Sequence, residues 1–524
     1  MSLVKQAREA LPHKFWGDNT LAHCLAWLHP REIVYFESTS KSVKQSIGAE
    51  AWRTLLVEYP WALSDGRSVA NKFEAENKGE LVKSKSLWRQ LWRLTTQRNN
   101  SAIIVDLGSY TVKAGYSCDS APSLVEPTAT FCRRPYDSSW AVEEFAEILK
   151  NILEGGMCVR LGTAKVLVVM RPIDVGHYNP VVPMEKFVRK IGKACFSILG
   201  LAAVRMEFSP VCALISKGLS SGVVLESGRA MTYACSVYKG KLVRHRFQET
   251  MISKYGGEHL TALMQRFASE AFGSGSGVVN VNDAVLMKES LTYVRAAKSN
   301  WKPTKEIDFL LDSVPFRLTG VTSGGKEGVV QLREERFMVP EALFAPKMFE
   351  THGIIDSRYS KDMTSIEELC RRALDSVTDD RGYEIRQNLV CIGGGLDFPD
   401  LEARLQRSLK RNRVRVSKVV GGSRRLQATS SYENRRWLAW KGAATLVAGR
   451  GCEFCISLND GTLCEMCLEM SGQAFECKVA GGGALQGNGI SSNGELTASE
   501  GMGKWATRQD WMKMGSAAFY KRRF

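Results

Sequence analysis

From Ser101 onward, short apolar runs bounded by glycine alternate with amphipathic stretches, and this alternation limits the fold more than any other feature of the chain. AIIVDLGS, AKVLVVMRP, SGVVLESG and NLVCIGGG are apolar on both faces and end in turn residues, the pattern of buried strands. EEFAEILKNILE, MEKFVRKIGKACFSIL and LEARLQRSL repeat apolar positions every three to four residues, as helices packed on one side do. Strands and helices in alternation argue for an α/β domain with largely buried sheets. The 524 residues, 44% hydrophobic and 24% charged, have globular proportions, which sets aside a collagen, a coiled-coil rod and wholesale disorder. At roughly 100–200 residues per domain there is room for about three domains. No apolar run approaches the ~18 residues of a membrane span, and no repeat recurs at a solenoid period.

The flanks differ from this body. Residues 15–100 are rich in Trp, Leu and Lys, and Leu21, Leu25 and Leu28, then Ile33, Val34 and Phe36, recur at helical spacing. Residues 450–503 are rich in Gly, Ser, Asn and Cys and read as a loop-rich insertion, after which KWATRQDWMKMGSAAFYKRRF resumes an aromatic, basic helical ending. The first residues, MSLVKQAREALPHKFW, intersperse charges and carry no unbroken apolar segment, so the expectation is a soluble intracellular protein without a secretory signal.

The net charge of +16 is densest over residues 404–425, where bases alternate with Leu and Val but no aromatic residue is present to stack on single-stranded nucleic acid. A solvated helix face and strand edge, an acidic partner or nuclear-import signal, and nucleic acid remain open, with nucleic acid the least expected. Five of the fourteen cysteines lie between Cys452 and Cys477, and the others sit singly in apolar surroundings, as reduced core residues do. Cys452, Cys455, Cys464 and Cys467 form two CxxC turns eight residues apart, a tetrahedral zinc spacing shorter than that of the common ribbon. Zinc, bystander thiols, and a disulfide or redox pair are the three readings.

Ile103 to Ser109 is a strand entering a tight turn, followed by Lys113 and Gly115. Such a turn can offer backbone N–H groups and an ammonium to phosphates, and Asp106 at the strand end can hold hydrated Mg²⁺. DLGSYTVKAGYSCDSAPS resembles the first phosphate loop of the actin family, and further motifs follow in the family's order. SGVVLESGRAMTYACSVYKGKLVRH is similar to the second phosphate hairpin, LMKESLTYV to the helix that touches the nucleoside, and REERFMVPEALFAP to a family strand and turn. CIGGGLDFPDLEARLQRSL resembles the adenine-side loop and helix, WLAWKGAATLVA the late helix, and the last residues an actin C-terminus.

The resemblance implies an actin-like fold over 101–449 and 504–524, with two related α/β subdomains around a nucleotide cleft. It implies ATP or ADP as ligand, contacted by Asp106, Gly108, Ser109, Lys113, Gly228, Lys288, Glu289, Gly393, Gly394 and Arg436. The catalytic positions depart from the family: its water-orienting glutamine falls on Ser209, its second-loop aspartate on Glu226 and its histidine on Tyr233. Its ribose-contacting aspartate falls on Arg229, and a glycine of the first loop is Tyr110, expected to crowd the phosphates. A serine cannot span what a glutamine spans, and one extra methylene displaces the carboxylate, so ATP hydrolysis is not expected. Only a few residues separate ATFCRRPYD, read as a strand-hairpin, from AVEEFAEIL, where filament-forming relatives carry a long docking excursion; filament formation is not expected either.

LAHCLAWLHPREIVYFESTSKSVKQSIGAEAWRTLLVEYPW reads as three short helices with a break at Pro30. It resembles an F-box over 15–61, although the usual opening Leu-Pro is missing and Val43 stands where an aromatic is usual. With a Trp/Lys-rich connector at 62–100, the whole is similar to plant-type F-box actin-related proteins. That resemblance implies a substrate receptor of a cullin-RING ubiquitin ligase, docking its adapter subunit through Leu21, Leu25, Leu28, Pro30 and Ile33, with a protein substrate and a nuclear, nucleolar or cytoplasmic setting. The alternatives are an ordinary helical extension on a nuclear actin-related scaffold, and a weak nucleotide-binding ATPase.

Overall fold

The computed structural model describes residues 49–58, 66–76, 87–88, 91, 101–131, 141–172, 182–243, 251–273, 278–294, 313–319, 328–356, 363–411, 418–420, 435–448 and 505–519. The chain divides into two compact units, one of Met1–Ile103, Ala141–Val166 and Lys193–Val204, the other of Ile104–Trp140, Leu167–Gly192 and Arg205–Phe524.

In the first unit, α1 (Ala49–Glu58) and α2 (Gly66–Glu76) pack on each other. Trp52 and Leu56, one turn apart, are buried with Ala70, and Phe73 meets Trp88 edge-on at 4.8 Å. Arg53 Nε donates to Glu74 Oε1 at 2.6 Å across the two helices. The expected third helix around Trp52 is therefore present. Leu21, Leu25, Leu28, Pro30 and Ile33 lie outside the described residues. α3 (Val142–Lys150) buries Phe145, Ala146, Ile148 and Leu149, and Ala141 N donates to Glu144 Oε2 at its start.

Two large sheets form the α/β body. The first runs in the order β14-β5-β4-β1-β2-β3, with β1 Ile103–Leu107, β2 Thr111–Tyr116, β3 Leu124–Pro127, β4 Lys165–Met170, β5 Ala203–Phe208 and β14 Ala506–Thr507. The second runs β13-β12-β6-β7-β8, with β6 Gly222–Ser227, β7 Thr232–Tyr238, β8 Lys241–Leu242, β12 Asn388–Ile392 and β13 Lys418–Val420; β9 (Ile252–Ser253) adds to β7. β12 pairs parallel with both β6 and β13, whereas β6 and β7 form an antiparallel hairpin. β1, β5 and β6 are buried at every residue, the burial that their unbroken apolar runs call for. A separate hairpin of β10 (Val314–Arg317) and β11 (Val329–Leu332) alternates exposed with less exposed positions.

The second unit also carries the helices α4 (Val182–Gly192), α5 (Ser209–Ser216), α6 (Gly257–Phe272), α7 (Val281–Leu291), α8 (Glu335–Glu341), α9 (Lys347–Thr351), α10 (Ile366–Asp375), α11 (Arg381–Ile385), α12 (Leu401–Arg411), α13 (Leu438–Ala448) and α14 (Arg508–Met514). Every residue of α5 is buried, and α13 crosses it so closely that a Cβ on Gly442 would stand 1.6 Å from Cys212 O. Six described cysteines are buried and reduced, Cys118 is half-buried and free, and Cys452, Cys455, Cys464 and Cys467 lie outside the described residues.

Local departures from the sequence reading have local causes. The helices over 143–154 and 184–199 are not uniform: each ends in a wider π turn, Asn151–Gly156 and Lys193–Ile198. ATF is no strand but a single 3-10 turn, Thr128–Thr130, whose Thr128 is anchored on the first glycine turn. ERFMVPE is the helix α8 and not a strand, with Arg333 N donating to Glu335 Oε2 at its start. α7 stops at Leu291, because Tyr293 N and Val294 N turn away to donate to Arg336 O and Pro399 O. Arg404, read as the edge of a solvated basic face, is buried against Glu341 at 2.9 Å and over the Phe344 ring at 4.6 Å; Arg407 and Lys410 on the same helix are exposed.

Candidate functional site

Three glycine turns of the second unit converge on one cavity of about 530 Å³, within the usual range for small-molecule sites. The first joins β1 to β2: Gly108 N donates to Thr111 O, and Thr128 Oγ1 donates to Gly108 O. A Cβ on Gly108 would lie 2.7 Å from Thr111 O, so the turn closes only without a side chain there. The second is the β6–β7 hairpin, where Gly228 N donates to Met231 O at 2.9 Å. The third follows β12: Gly393 has φ +94°, and a Cβ there would meet Ser227 O at 2.2 Å. All ten residues that the resemblance placed at the nucleotide line this cavity, namely Asp106, Gly108, Ser109, Lys113, Gly228, Lys288, Glu289, Gly393, Gly394 and Arg436.

At one end the strand termini hold a charge cluster. Asp106 is buried, with Oδ2 accepting from Lys113 Nζ at 2.8 Å and Oδ1 from Arg171 Nη2 at 2.7 Å. Burial alone would raise its carboxyl, but the charges and hydrogen bonds of Lys113 and Arg171 outweigh that and hold it below the ordinary value. Arg171 also donates from Nη1 to Leu107 O at 2.8 Å and from Nε to Glu226 Oε1 at 3.2 Å. Glu226 Oε2 accepts from Ser209 Oγ at 2.7 Å and from the Tyr233 hydroxyl. Burial and the Glu226 charge push the Tyr233 phenol far above its usual range, so it remains a donor. Ser209 and Tyr233 are almost wholly buried and do not line the cavity.

Asp106, read from the sequence as able to hold hydrated Mg²⁺, is instead engaged by protein cations in this geometry. Each of the four oxygens of Asp106 and Glu226 already accepts a hydrogen bond, and Arg171 bridges the two carboxylates as a cation between them would. The two carboxylates are thus already balanced by Lys113 and Arg171, a donor set poorly suited to a divalent ion. Tyr110 lines the same cavity; its ring is half exposed and lies 5.2 Å from the Arg229 guanidinium. Arg229 in turn pairs with Glu258 at 2.9 Å.

At the other end Glu289 and Arg436 pair at 2.8 Å. Lys288 Nζ donates to Thr261 Oγ1 at 2.8 Å and Gly257 O at 3.2 Å, and burial draws its ammonium down to about 8 despite the opposing charge of Glu289. Arg435, which the sequence reading passed over for its neighbour, is fully buried and ties the loop together through Glu402, Leu396 O and Phe398 O. Arg171 was missed altogether; its one sequence signal is a charged residue directly after the buried strand AKVLVVM. Five cationic side chains, Lys113, Arg171, Arg229, Lys288 and Arg436, face four carboxylates, Asp106, Glu226, Glu258 and Glu289, while Arg435 is spent on Glu402, so the cavity lining keeps a small positive excess that suits an anion. Among the described residues no group of three or more His, Cys, Asp or Glu side chains is placed to hold a metal.

Two sheets that present glycine turns to a shared cavity define an actin-like α/β protein. A family model described as Actin matches residues 179–279 and 281–454, just over half of the chain, and the chain belongs to the actin family.

Proposed function

We propose that this actin-family protein binds and does not hydrolyse: its cleft takes a nucleotide as a structural ligand, and its body recognises a protein. The observation that carries this reading is the closed network of Asp106, Arg171, Glu226, Ser209 and Tyr233. Hydrolysis needs a positioned water and a metal held beside the phosphates. Here Ser209 is recessed behind Glu226, and the carboxylates are spent on Arg171 and Lys113. Glycine turns that a Cβ would fill, with cations facing the cavity, support nucleotide binding.

The N-terminal unit supports a role as substrate receptor of a cullin-RING ubiquitin ligase. Its helical spacing and its Pro30 break in the sequence resemble an F-box, and a helix α1 with Trp52 and Leu56 inside agrees with the third helix expected there. Affinity purification of the tagged full-length chain with mass spectrometry tests this. Adapter and cullin are expected with the unmodified chain and lost on the joint change Leu25→Asp and Leu28→Asp. Retention of neither by the unmodified chain would remove the ligase role.

A further inference from the structure

We infer that the cleft binds a nucleoside diphosphate without a divalent cation, Arg171 standing where a bound metal would otherwise balance Asp106 and Glu226. The inference rests on the nucleotide-cleft reading above and concerns how the phosphate end is neutralised. A metal-dependent phosphate site leaves carboxylate oxygens free for the ion or its water shell. In this cavity Asp106 and Glu226 are each engaged through both oxygens, and the group that bridges them is a guanidinium on a short tether, immediately after β4.

Three features fix Arg171 in that position. Its Nη1 is anchored on Leu107 O at the end of β1, the strand that carries Asp106, so the guanidinium plane spans from one sheet's strand end to the other's. Its side chain is only 14% exposed, which strengthens both ion pairs over those of a surface arginine. Glu226 suits the bridge because its extra methylene, relative to the aspartate expected there, reaches Arg171 and the two hydroxyls together. An arginine stays charged at any physiological pH, cannot be chelated and does not exchange.

The cavity's own charge then selects the ligand. With Asp106 and Glu226 balanced internally by Lys113 and Arg171, Arg229 paired with Glu258, Arg436 with Glu289 and Arg435 with Glu402, the lining keeps an excess of one positive charge, that of Lys288. So small an excess leaves little to offset the four charges of a metal-free triphosphate and favours the fewer charges of a diphosphate. The diphosphate would lie against the Gly108 and Gly228 turns and within reach of Lys113 and Arg171.

The test measures binding of a fluorescent anthraniloyl-ADP to the full-length chain, once in millimolar Mg²⁺ and once in EDTA, with unlabelled ADP and ATP as competitors. The expected result is an affinity in EDTA within about twofold of that in Mg²⁺, with ADP competing better than ATP in EDTA. In Arg171→Met, affinity in EDTA should fall by about tenfold or more, the scale of a lost charge-assisted contact, and Mg²⁺ should restore part of it. Binding that requires Mg²⁺ in the unmodified chain would overturn the inference and leave the nucleotide cleft standing. Binding in neither buffer would overturn both. The comparison of buffers needs no variant, so a folding defect in Arg171→Met cannot decide it; Arg171→Lys, which keeps the charge but not the bridge, should retain an intermediate affinity in EDTA.

Discussion

Removing the Arg171 bridge should cost the second unit a measurable share of its stability, and the structure sets the scale. Arg171→Met keeps most of the apolar stem but deletes three donated hydrogen bonds, to Asp106, Glu226 and Leu107 O. Breaking a buried ion pair from one side costs about 3–5 kcal/mol, because a charge stays behind without its partner. Two circumstances reduce this: Lys113 continues to hold Asp106, and Ser209 and Tyr233 continue to hold Glu226. A loss of about 2–4 kcal/mol follows. With a urea m-value of about 3 kcal/mol/M, the unfolding midpoint should fall by roughly 1 M, provided the second unit unfolds in one step. Without the guanidinium, the carboxyl of Asp106 should move up, so acidification should narrow the gap between variant and wild type. Adding Glu226→Gln to Arg171→Met should restore part of the loss, since the two sites are in contact and their effects should not add. An unchanged midpoint for Arg171→Met across the acid range would refute the claim that Arg171 balances buried charge.

Other consequences are as direct. Gly442→Val should destabilise the fold by about 3 kcal/mol or more despite any gain in helix propensity, because its Cβ would meet the backbone oxygen of Cys212, which no rotamer change relieves; urea unfolding reads this, and a neutral result would mean that α5 and α13 can part freely. Glu207 is buried beside Arg205 at 3.8 Å, and burial raises its carboxyl to about 7. Its folded value lies above the unfolded one, so its favourable contribution is full below the ordinary carboxylate range and is lost as pH rises through about 7. The stability difference between wild type and Glu207→Gln should therefore shift by about 3 kcal/mol against wild type from pH 4.5 to 8, and a pH-independent difference would contradict that burial. Lys288 is displaced the other way, so the cost of keeping it charged persists below about 8 and is relieved between there and 10.5. Lys288→Met should be relatively more stable than wild type at pH 7 and lose that advantage by pH 10.5.

The buried strands and the cavity residues Asp106, Gly108, Ser109, Gly228, Gly393 and Gly394 were legible because they sit at strand ends or glycine turns, which leave marks in sequence; Lys288 and Glu289, inside α7, and Arg436 came only through the family resemblance. Gly108, Gly228 and Gly393 stand at turns where a Cβ collides or φ is positive, or where a hairpin closes, so they recur as punctuation after apolar runs. Arg171 carries no such mark. Its role exists only once the ends of β1 and β4 lie side by side in a sheet and β6 brings Glu226 across, which no local spacing encodes. The same holds for Arg435 and Arg436: two adjacent arginines look interchangeable, yet one is buried in the loop's scaffold and the other faces Glu289. Arg404 was misread because a charge run suggests a wet surface, whereas Glu341, Glu367 and Phe344 come from distant segments to cover it. The π turns at Asn151–Gly156 and Lys193–Ile198 escaped because a helical period does not register one extra residue in its last turn.

The most direct test of a binding rather than a hydrolysing cleft is phosphate release from ATP by the purified full-length chain in Mg²⁺, beside Asp106→Ala. The account expects release indistinguishable from the buffer blank in both. Turnover above the blank that disappears in Asp106→Ala would contradict it, since Asp106 would then be serving a metal and water rather than Lys113 and Arg171.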